Sequence, residues 1–392
     1  METYVRRELI APLPPPLATS GMLGFLRKRL FGGVLNIVLT LLSLLLVLVV
    51  LPPLVRFLII DAVWSGTSRT DCLAETVGRP VGACWPFVAA KFRQFMYGFY
   101  PEAEQWRVNL TYALGVILLV PLLIPRVPYK AWNAVAFFGL FPLVAFVLLV
   151  GGVLGLPHVE TRLWGGMLVT LVITFTGIIG SLPLGVLLAL GRASKLPVMR
   201  MLSTIFIEFW RGVPLVTVLF FATYMLPLFL PGNWRMDPML RVLIGVVLFA
   251  GAYMAEVVRG GLQAVPRGQT EVAMALGFGR WPVQRDIVLP QALRLVVPAL
   301  TNSVVGTLKD TSLVTVVGLF ELTGALGLAL GGDPTWRPFY LEGYLFVAAV
   351  YWVLCFGLSR YSVWLERRLG EGRAEVPRDV QPGKALLGTS SA

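Results

Sequence analysis

Long apolar runs, separated by short stretches rich in basic residues, Gly and Pro, set the pattern of this chain. Eight segments stay mostly apolar over the roughly 20 residues that a helix needs to cross a bilayer. They cover about 32–54, 108–124, 132–154, 164–190, 204–230, 239–257, 294–318 and 341–362. The penultimate one continues into an apolar, Gly-rich stretch, 319–332, whose end the pattern does not place. The prediction is an all-α polytopic membrane protein with about eight transmembrane helices. Composition agrees: 57% of the 392 residues are apolar and 14% charged, against roughly 45–50% and 25% in soluble domains. The first apolar run follows Arg27-Lys28-Arg29 as a signal peptide would, but it is longer than an h-region and lacks a small-residue cleavage site, so it reads as a retained span. The Pro12-Leu13-Pro14-Pro15-Pro16 stretch ahead of it reads as a flexible or polyproline tail.

Charge sets the orientation. Arg6, Arg7, Arg27, Lys28 and Arg29 outnumber Glu2 and Glu8 before the first span. Arg126 and Lys130 follow the second span, and Arg192, Lys195 and Arg200 the fourth, with no acid in either loop; Arg367 and Arg368 follow the last span. The 56–106 loop is balanced, with bases at Arg56, Arg69, Arg79, Lys91 and Arg93 against Asp61, Asp71, Glu75, Glu102 and Glu104. Eight spans put every basic region on one side, and the excess of Lys and Arg marks that side as cytoplasmic, with both termini there. The net charge of +12 is then loop charge facing anionic lipid, and no nucleic-acid partner is expected. Cys72 and Cys84 share the exported 56–106 loop, where the oxidising exterior permits a disulfide; two free thiols remain the other reading. Cys355 lies in the last span. With His158 as the only histidine and no Cys/His cluster, no metal site is expected.

The chain divides near residue 160. A cytoplasmic tail (1–30) precedes an extension (31–160) of three spans and the exported loop, whose spans hold almost no ionisable group. The five spans of 161–365 carry charges in or beside them, and such charges tend to mark function; a cytoplasmic tail (366–392) follows. In the exported loop, Lys91 to Tyr100 is dense in aromatic rings, which suits a segment lying at the membrane interface; a docking patch for an external partner is the alternative. No G-x-x-x-x-G-K-[ST], H-E-x-x-H or G-x-S-x-G motif occurs, and Gly383-Lys384 lacks the rest of a phosphate loop. The chain is therefore expected to bind no cofactor and to catalyse no reaction, and any ATP that drives it must sit on another subunit.

The loop at 258–294 carries the sharpest signal. It holds Arg259, Arg267, Arg280, Arg285 and Arg294 against Glu271 and Asp286. Thr270–Leu276 predicts a short helix with Thr270 as a cap, Gly277 a turn, and Trp281–Val288 a second short helix that Pro290 separates from the next span. Glu271, Ala273, Gly277, Ile287, Leu289 and Pro290 fall at the spacings of E-A-A-x3-G-x9-I-x-L-P, with Val272 in place of the first Ala. This is the EAA motif, and the chain resembles the permease subunits of type I ABC importers over 161–365. Three more clusters are similar to segments of the polar amino-acid uptake family: Glu208-Phe209-Trp210-Arg211-Gly212-Val213-Pro214-Leu215, Ala255-Glu256-Val257-Val258-Arg259-Gly260-Gly261-Leu262 and Leu308-Lys309-Asp310-Thr311-Ser312-Leu313. The three-span extension looks like the general L-amino-acid permease type.

That resemblance implies a bacterial inner-membrane subunit that forms the path of an ATP-driven L-amino-acid importer. It implies as partners a pair of ABC ATPase subunits, a second and different permease chain, and an external amino-acid-binding protein, all around a chain embedded in the lipid bilayer. The EAA knob would fit a groove on the ATPase through Glu271, Ala273 and Gly277; the small Ala273 and Gly277 would let the partner approach, and Glu271 would accept charge-assisted hydrogen bonds. Lys309, about fifteen residues beyond Arg294, falls near mid-membrane. Lys309 and Asp310, with the hydroxyls of Thr311 and Ser312, either meet the zwitterionic substrate or form a structural pair. Glu208 with Arg211, and Glu256 with Arg259, are spaced as structural pairs at helix ends. The rival reading is a stand-alone secondary transporter or channel that uses Lys309 and Asp310 as an ion site.

Overall fold

A computed structural model describes residues 24, 26, 29–124, 126–231 and 236–371. The Pro-rich start and the tail from residue 372 lie outside the described residues. No strand occurs among them beyond isolated bridges. The chain forms two compact units, Met1–Pro86 and Phe87–Ala392.

The first unit holds one span, α1 (Val34–Ile60). At 1.5 Å per residue it is about 40 Å long, more than the ~30 Å hydrocarbon core. No residue of Val34–Val55 is buried in the chain, as lipid-facing side chains would be. Pro52 and Pro53 remove two amide donors near its end, and the helix relaxes to a π turn over Arg56–Ile60. The following loop is tied down closely. Cys72 and Cys84 are joined in a disulfide, Arg79 donates to the Ile60 carbonyl at 2.9 Å, and Trp64 stacks on Trp85. Gly82 lies so near the Phe57 carbonyl that a Cβ would come within 2.3 Å of it.

The second unit opens with α2 (Pro86–Tyr97), a helix that the aromatic composition alone did not specify. Phe87 and Phe95 are fully buried, against Trp336 at 5.8 Å and Phe346 at 5.1 Å between ring centres. Of the five rings in the Lys91–Tyr100 stretch, Phe95 and Tyr100 pack inside the protein, while Phe92 and Phe99 are exposed and Tyr97 is half-buried. Lys91 pairs with Asp333 at 3.0 Å. Hydrogen bonds from Thr335 and then Lys91 hold the Asp333 carboxyl below the usual carboxylate range. A depressed carboxyl contributes stability that is fully present above its unfolded value near ~4 and is lost as pH falls through the lower folded value. We expect hydrogen exchange in α2 to be flat between pH 5 and 8, apart from the intrinsic rate, and K91M to raise it at both ends. A tie that loosens between pH 8 and 5 would contradict this assignment.

The extension continues with α3 (Gln105–Leu123) and α4 (Lys130–Val150). Phe137 and Phe141 of α4 meet Phe175 edge-on at 5.1 and 5.2 Å. These two spans thus pack with the helices that follow, and the division by packing falls at Pro86/Phe87. Beyond it come α5 (Gly166–Ala193), the bent pair α6 (Pro197–Gly212) and α7 (Leu215–Phe229), α8 (Pro238–Ala264), α9 (Arg267–Ala275), α10 (Arg280–Val317), α11 (Leu322–Gly332) and α12 (Tyr340–Glu371). Among the described residues, seven helices are long and apolar enough to cross a membrane, or eight if the bent pair counts as one span. The α5–α8 seam depends on small residues, which let backbones close up where lipid supplies no hydrophobic drive. A Cβ on Gly185 would lie 2.6 Å from the Met254 Cβ.

Two expected spans differ from the structure. The run at 204–230 is not one helix: α6 and α7 meet at 102°. Pro214 forces Val213 into an extended conformation, at φ −100° and ψ 132°, which ends α6. The seventh span is longer than 294–318, because the second short helix of the loop runs straight into it. Pro290 sits in the first turn of Leu289–Asp310, just after a π segment, Val283–Val288. The missing amide is tolerated at a position whose hydrogen bond is already displaced, so Pro290 does not separate the two. The stretch 319–332 resolves into a turn and α11.

Candidate coupling loop and translocation path

The 258–294 loop forms a knob with a small core of its own. Val265, Ala273, Val283, Val288 and Ala292 are buried together, with Leu262, Ile287 and Leu295 against them. Thr270 does not cap α9; it lies inside the helix, whose N-cap position is Pro266. Gly277, at φ 86°, closes α9. Its amide donates to the Met274 carbonyl at 3.0 Å, and that of Phe278 to the Ala273 carbonyl at 3.1 Å. This is a Schellman closure, which puts its C′ residue in left-handed space and so favours Gly. The loop's outer surface is apolar where a soluble loop would be polar: Val272, Leu276, Phe278 and Trp281 are exposed, Leu276 at 73% and Trp281 at 61%. An exposed apolar patch of this kind marks a contact surface. Glu271 is exposed beside it, whereas Ala273 is only 4% exposed. The small side chain of Ala273 therefore serves the packing of α9 on Val283 and Val288, not the approach of a partner. Ile287 and Leu289 are half-buried and Pro290 is exposed.

Behind the knob the motif charges form one network rather than two helical pairs. Glu256 accepts from Arg192 at 2.7 Å and from Arg259 at 2.8 Å, with Arg211 at 3.8 Å. Glu208 pairs with Arg192 at 2.9 Å. The Glu256–Arg259 pair is as expected from its spacing. The partner of Glu208 is Arg192 and not Arg211, because α6 crosses the end of α5 and brings that guanidinium between the two carboxylates. In the sequence Arg192 is one of several loop charges, and no local pattern links it to residues 16 and 64 positions away. An open cavity of about 450 Å³ separates this network from the knob, with Arg192, Arg259, Arg267, Thr270 and Gln284 on its walls.

Further along α10 the α-helical part ends at Asp310, and Thr311–Val317 tightens into a 3₁₀ helix that Gly318 closes at φ 83°. The change comes at the C-terminal end of α10, a common place for a helix to tighten in this way. The backbone thus changes form at the four polar residues picked out by sequence. Lys309 is exposed and Asp310 half-buried. Neither takes part in an ion pair among the described residues, and neighbours in a helix point about 100° apart. Thr311 and Ser312 turn their hydroxyls to the Leu308 and Lys309 carbonyls.

The family described as "Binding-protein-dependent transport system inner membrane component" matches residues 181–371. Over 92% of its length the chain is 45% identical to the inner membrane amino-acid ABC transporter permease protein YhdY of Escherichia coli K12, and it covers 97% of that protein. It is 38% identical, over 94% of its length, to the glutamate/glutamine/aspartate/asparagine transport system permease protein BztC of Rhodobacter capsulatus, covering 98% of it. Among solved structures, the crystal structure of an amino acid ABC transporter with histidines is 29% identical and has a TM-score of 0.46. It covers 52% of this chain, and this chain covers 92% of it.

Proposed function

Because the chain belongs to the inner-membrane permeases of amino-acid ABC transporters, we propose that it works in an importer, through a knob that engages an ATPase and a path that runs by Lys309 and Asp310. Membership disposes of the stand-alone carrier or channel. Both relatives match nearly end to end, extension included, which supports the general L-amino-acid type and a second, different permease beside this one.

The knob is the observation that carries the coupling role. A loop with its own apolar core and an exposed face of Val272, Leu276, Phe278 and Trp281 is rigid enough to transmit force and greasy enough to need a cover. The cover proposed is an ABC ATPase subunit, one of a pair that binds and hydrolyses ATP for the complex. Glu271 at the rim would meet one of its basic side chains. An external amino-acid-binding protein would deliver substrate at the opposite end. With the bent α6–α7 pair counted as one of eight spans, the loop and both termini face the cytoplasm, the side that the basic loops favour. The expected zwitterion suits Lys309 and Asp310 because they are charged, near each other and not committed to one another.

Orientation has a direct test. With the native cysteines removed, W281C should react with an impermeant thiol reagent only after the cells are opened, and a cysteine at Thr76 should react in intact cells. Labelling of W281C in intact cells would reverse the orientation. Purification in mild detergent should bring down an ATPase and a second permease; recovery of this chain alone at full activity would overturn the proposed assembly.

A further inference from the structure

A buried carboxylate outside every motif named so far binds three elements together at the far end of α10. Glu321 is fully buried, and among the described residues it has no ion-pair partner. Four donors meet its two oxygens. Oε1 accepts from Thr315 Oγ1 at 3.0 Å and from the Gly324 amide at 2.9 Å. Oε2 accepts from the Thr323 amide at 2.9 Å and from Tyr351 Oη at 2.7 Å. A carboxylate offers about four acceptor sites, so this one is saturated without a cation. Two of the donors are first-turn amides of α11, where a negative charge is favoured. The others come from the 3₁₀ segment and from α12.

The connection reaches the polar cluster. Tyr351 Oη also lies 3.2 Å from Thr311 Oγ1; with the phenol hydrogen committed to Glu321, Thr311 is the donor in that contact, shared with the Leu308 carbonyl. The Leu322 amide donates to Thr170 Oγ1 of α5 at 3.2 Å, and the Gly166 amide at the start of α5 donates to the Phe320 carbonyl at 2.8 Å. The 3₁₀ segment is thus pinned at its first residue, Thr311, through Tyr351 and again at Thr315 directly, to one carboxylate. A helix of this type has weak internal hydrogen bonds, so its placement depends on such outside ties.

We propose that Glu321 is a positioning residue for transport: it fixes the 3₁₀ segment Thr311–Val317, and with it the residues that follow Lys309 and Asp310, against α5, α11 and α12. It rests on the reading that this segment borders the substrate path. The alternative role is a helix cap that stabilises the fold and nothing more.

E321Q separates the two. A carboxamide keeps the shape but turns one acceptor into a donor, so two of the four donors face an NH₂ group. In proteoliposomes of the complete transporter, supplied with the external binding protein and a labelled amino-acid mixture, uptake per ATP hydrolysed should fall about tenfold in E321Q and about threefold in Y351F, which loses one donor. Hydrolysis itself should stay within about twofold, because the knob lies at the other end of α10. If both variants lower only the amount of assembled complex and leave uptake per ATP unchanged, Glu321 is a cap and the proposal fails. Y351F decides alone if E321Q does not assemble. D310N, measured alongside, isolates the underlying reading: wild-type uptake by D310N would remove Asp310 from the substrate path, while the E321Q ratio would still report on the positioning of the segment.

Discussion

Replacing Gly277 with arginine is expected to abolish amino-acid uptake while the protein still inserts and accumulates in the membrane. The expectation combines two features of that position. Its φ of 86° is left-handed space, where an L residue costs roughly 1–2 kcal/mol, a loss a helical bundle of this size absorbs. The space around it is open: a Cβ added there meets no atom within 4 Å. The substitution therefore does little to the chain itself. A long charged side chain would instead project from the α9 closure beside the exposed Leu276 and Phe278, where the ATPase is proposed to seat. Burying that charge against a partner without a counter-charge costs several kcal/mol, enough to lower occupancy of the complex at least about a hundredfold. G277A makes the control, since it carries the strain with almost no bulk; its uptake should stay within about fivefold of the parent. Membrane level by immunoblot, uptake of labelled amino acids and co-purified ATPase are the three readouts. Normal uptake by G277R would remove the knob from the coupling path.

The parts of this molecule that repeat along the chain were legible in its sequence, and the parts built from distant residues were not. Apolar run length found the spans because a bilayer imposes one length on every one of them. The knob could be placed because its turn chemistry is local: Gly277 closes α9 as its position after a short helical run suggested. Thr270 is not the cap that its residue type suggests, because Pro266 already occupies the N-cap position, four residues earlier. The bend between α6 and α7 was written in Gly212-Val213-Pro214, but hydropathy alone does not register it, since Pro214 breaks the backbone path without lowering apolarity. Arg192 and Glu321 escaped for a different reason. Each is a single charge whose meaning depends on partners on other helices, Glu208 and Glu256 for the first and Thr315 and Tyr351 for the second. The side chain of Ala273 illustrates the remaining ambiguity: smallness suits close approach from inside or outside, and only the packing of Val283 and Val288 beneath it decides between them.

Alanine at Lys309, at Asp310 and at both is expected to leave insertion unchanged in all three variants and to stop uptake in the double variant. The structure alters the usual logic of such a cycle. In a buried ion pair, removing one partner strands the other at a cost of about 3–5 kcal/mol, and the double variant recovers. Here no ion pair joins the two residues or links either to another among the described residues, Lys309 is exposed and Asp310 half-buried. Removing one therefore creates no newly stranded charge, so neither single variant should lose membrane level. If the charges meet the carboxylate and ammonium of a bound amino acid, each single substitution removes one contact. A charge-assisted hydrogen bond contributes roughly 1.5–3 kcal/mol, so uptake should fall about ten- to a hundredfold for each. The double variant should be at least as defective as the worse single one, because it loses the contacts to both ends of the ligand; two neighbours on one ligand are coupled, so the combined loss need not equal the sum of the two. Recovery in the double variant would mean that the two residues do pair during the transport cycle, and near-normal uptake by it would end the assignment of this segment to the substrate path. Neither result would touch membership of the permease family, which rests on similarity along nearly the whole chain.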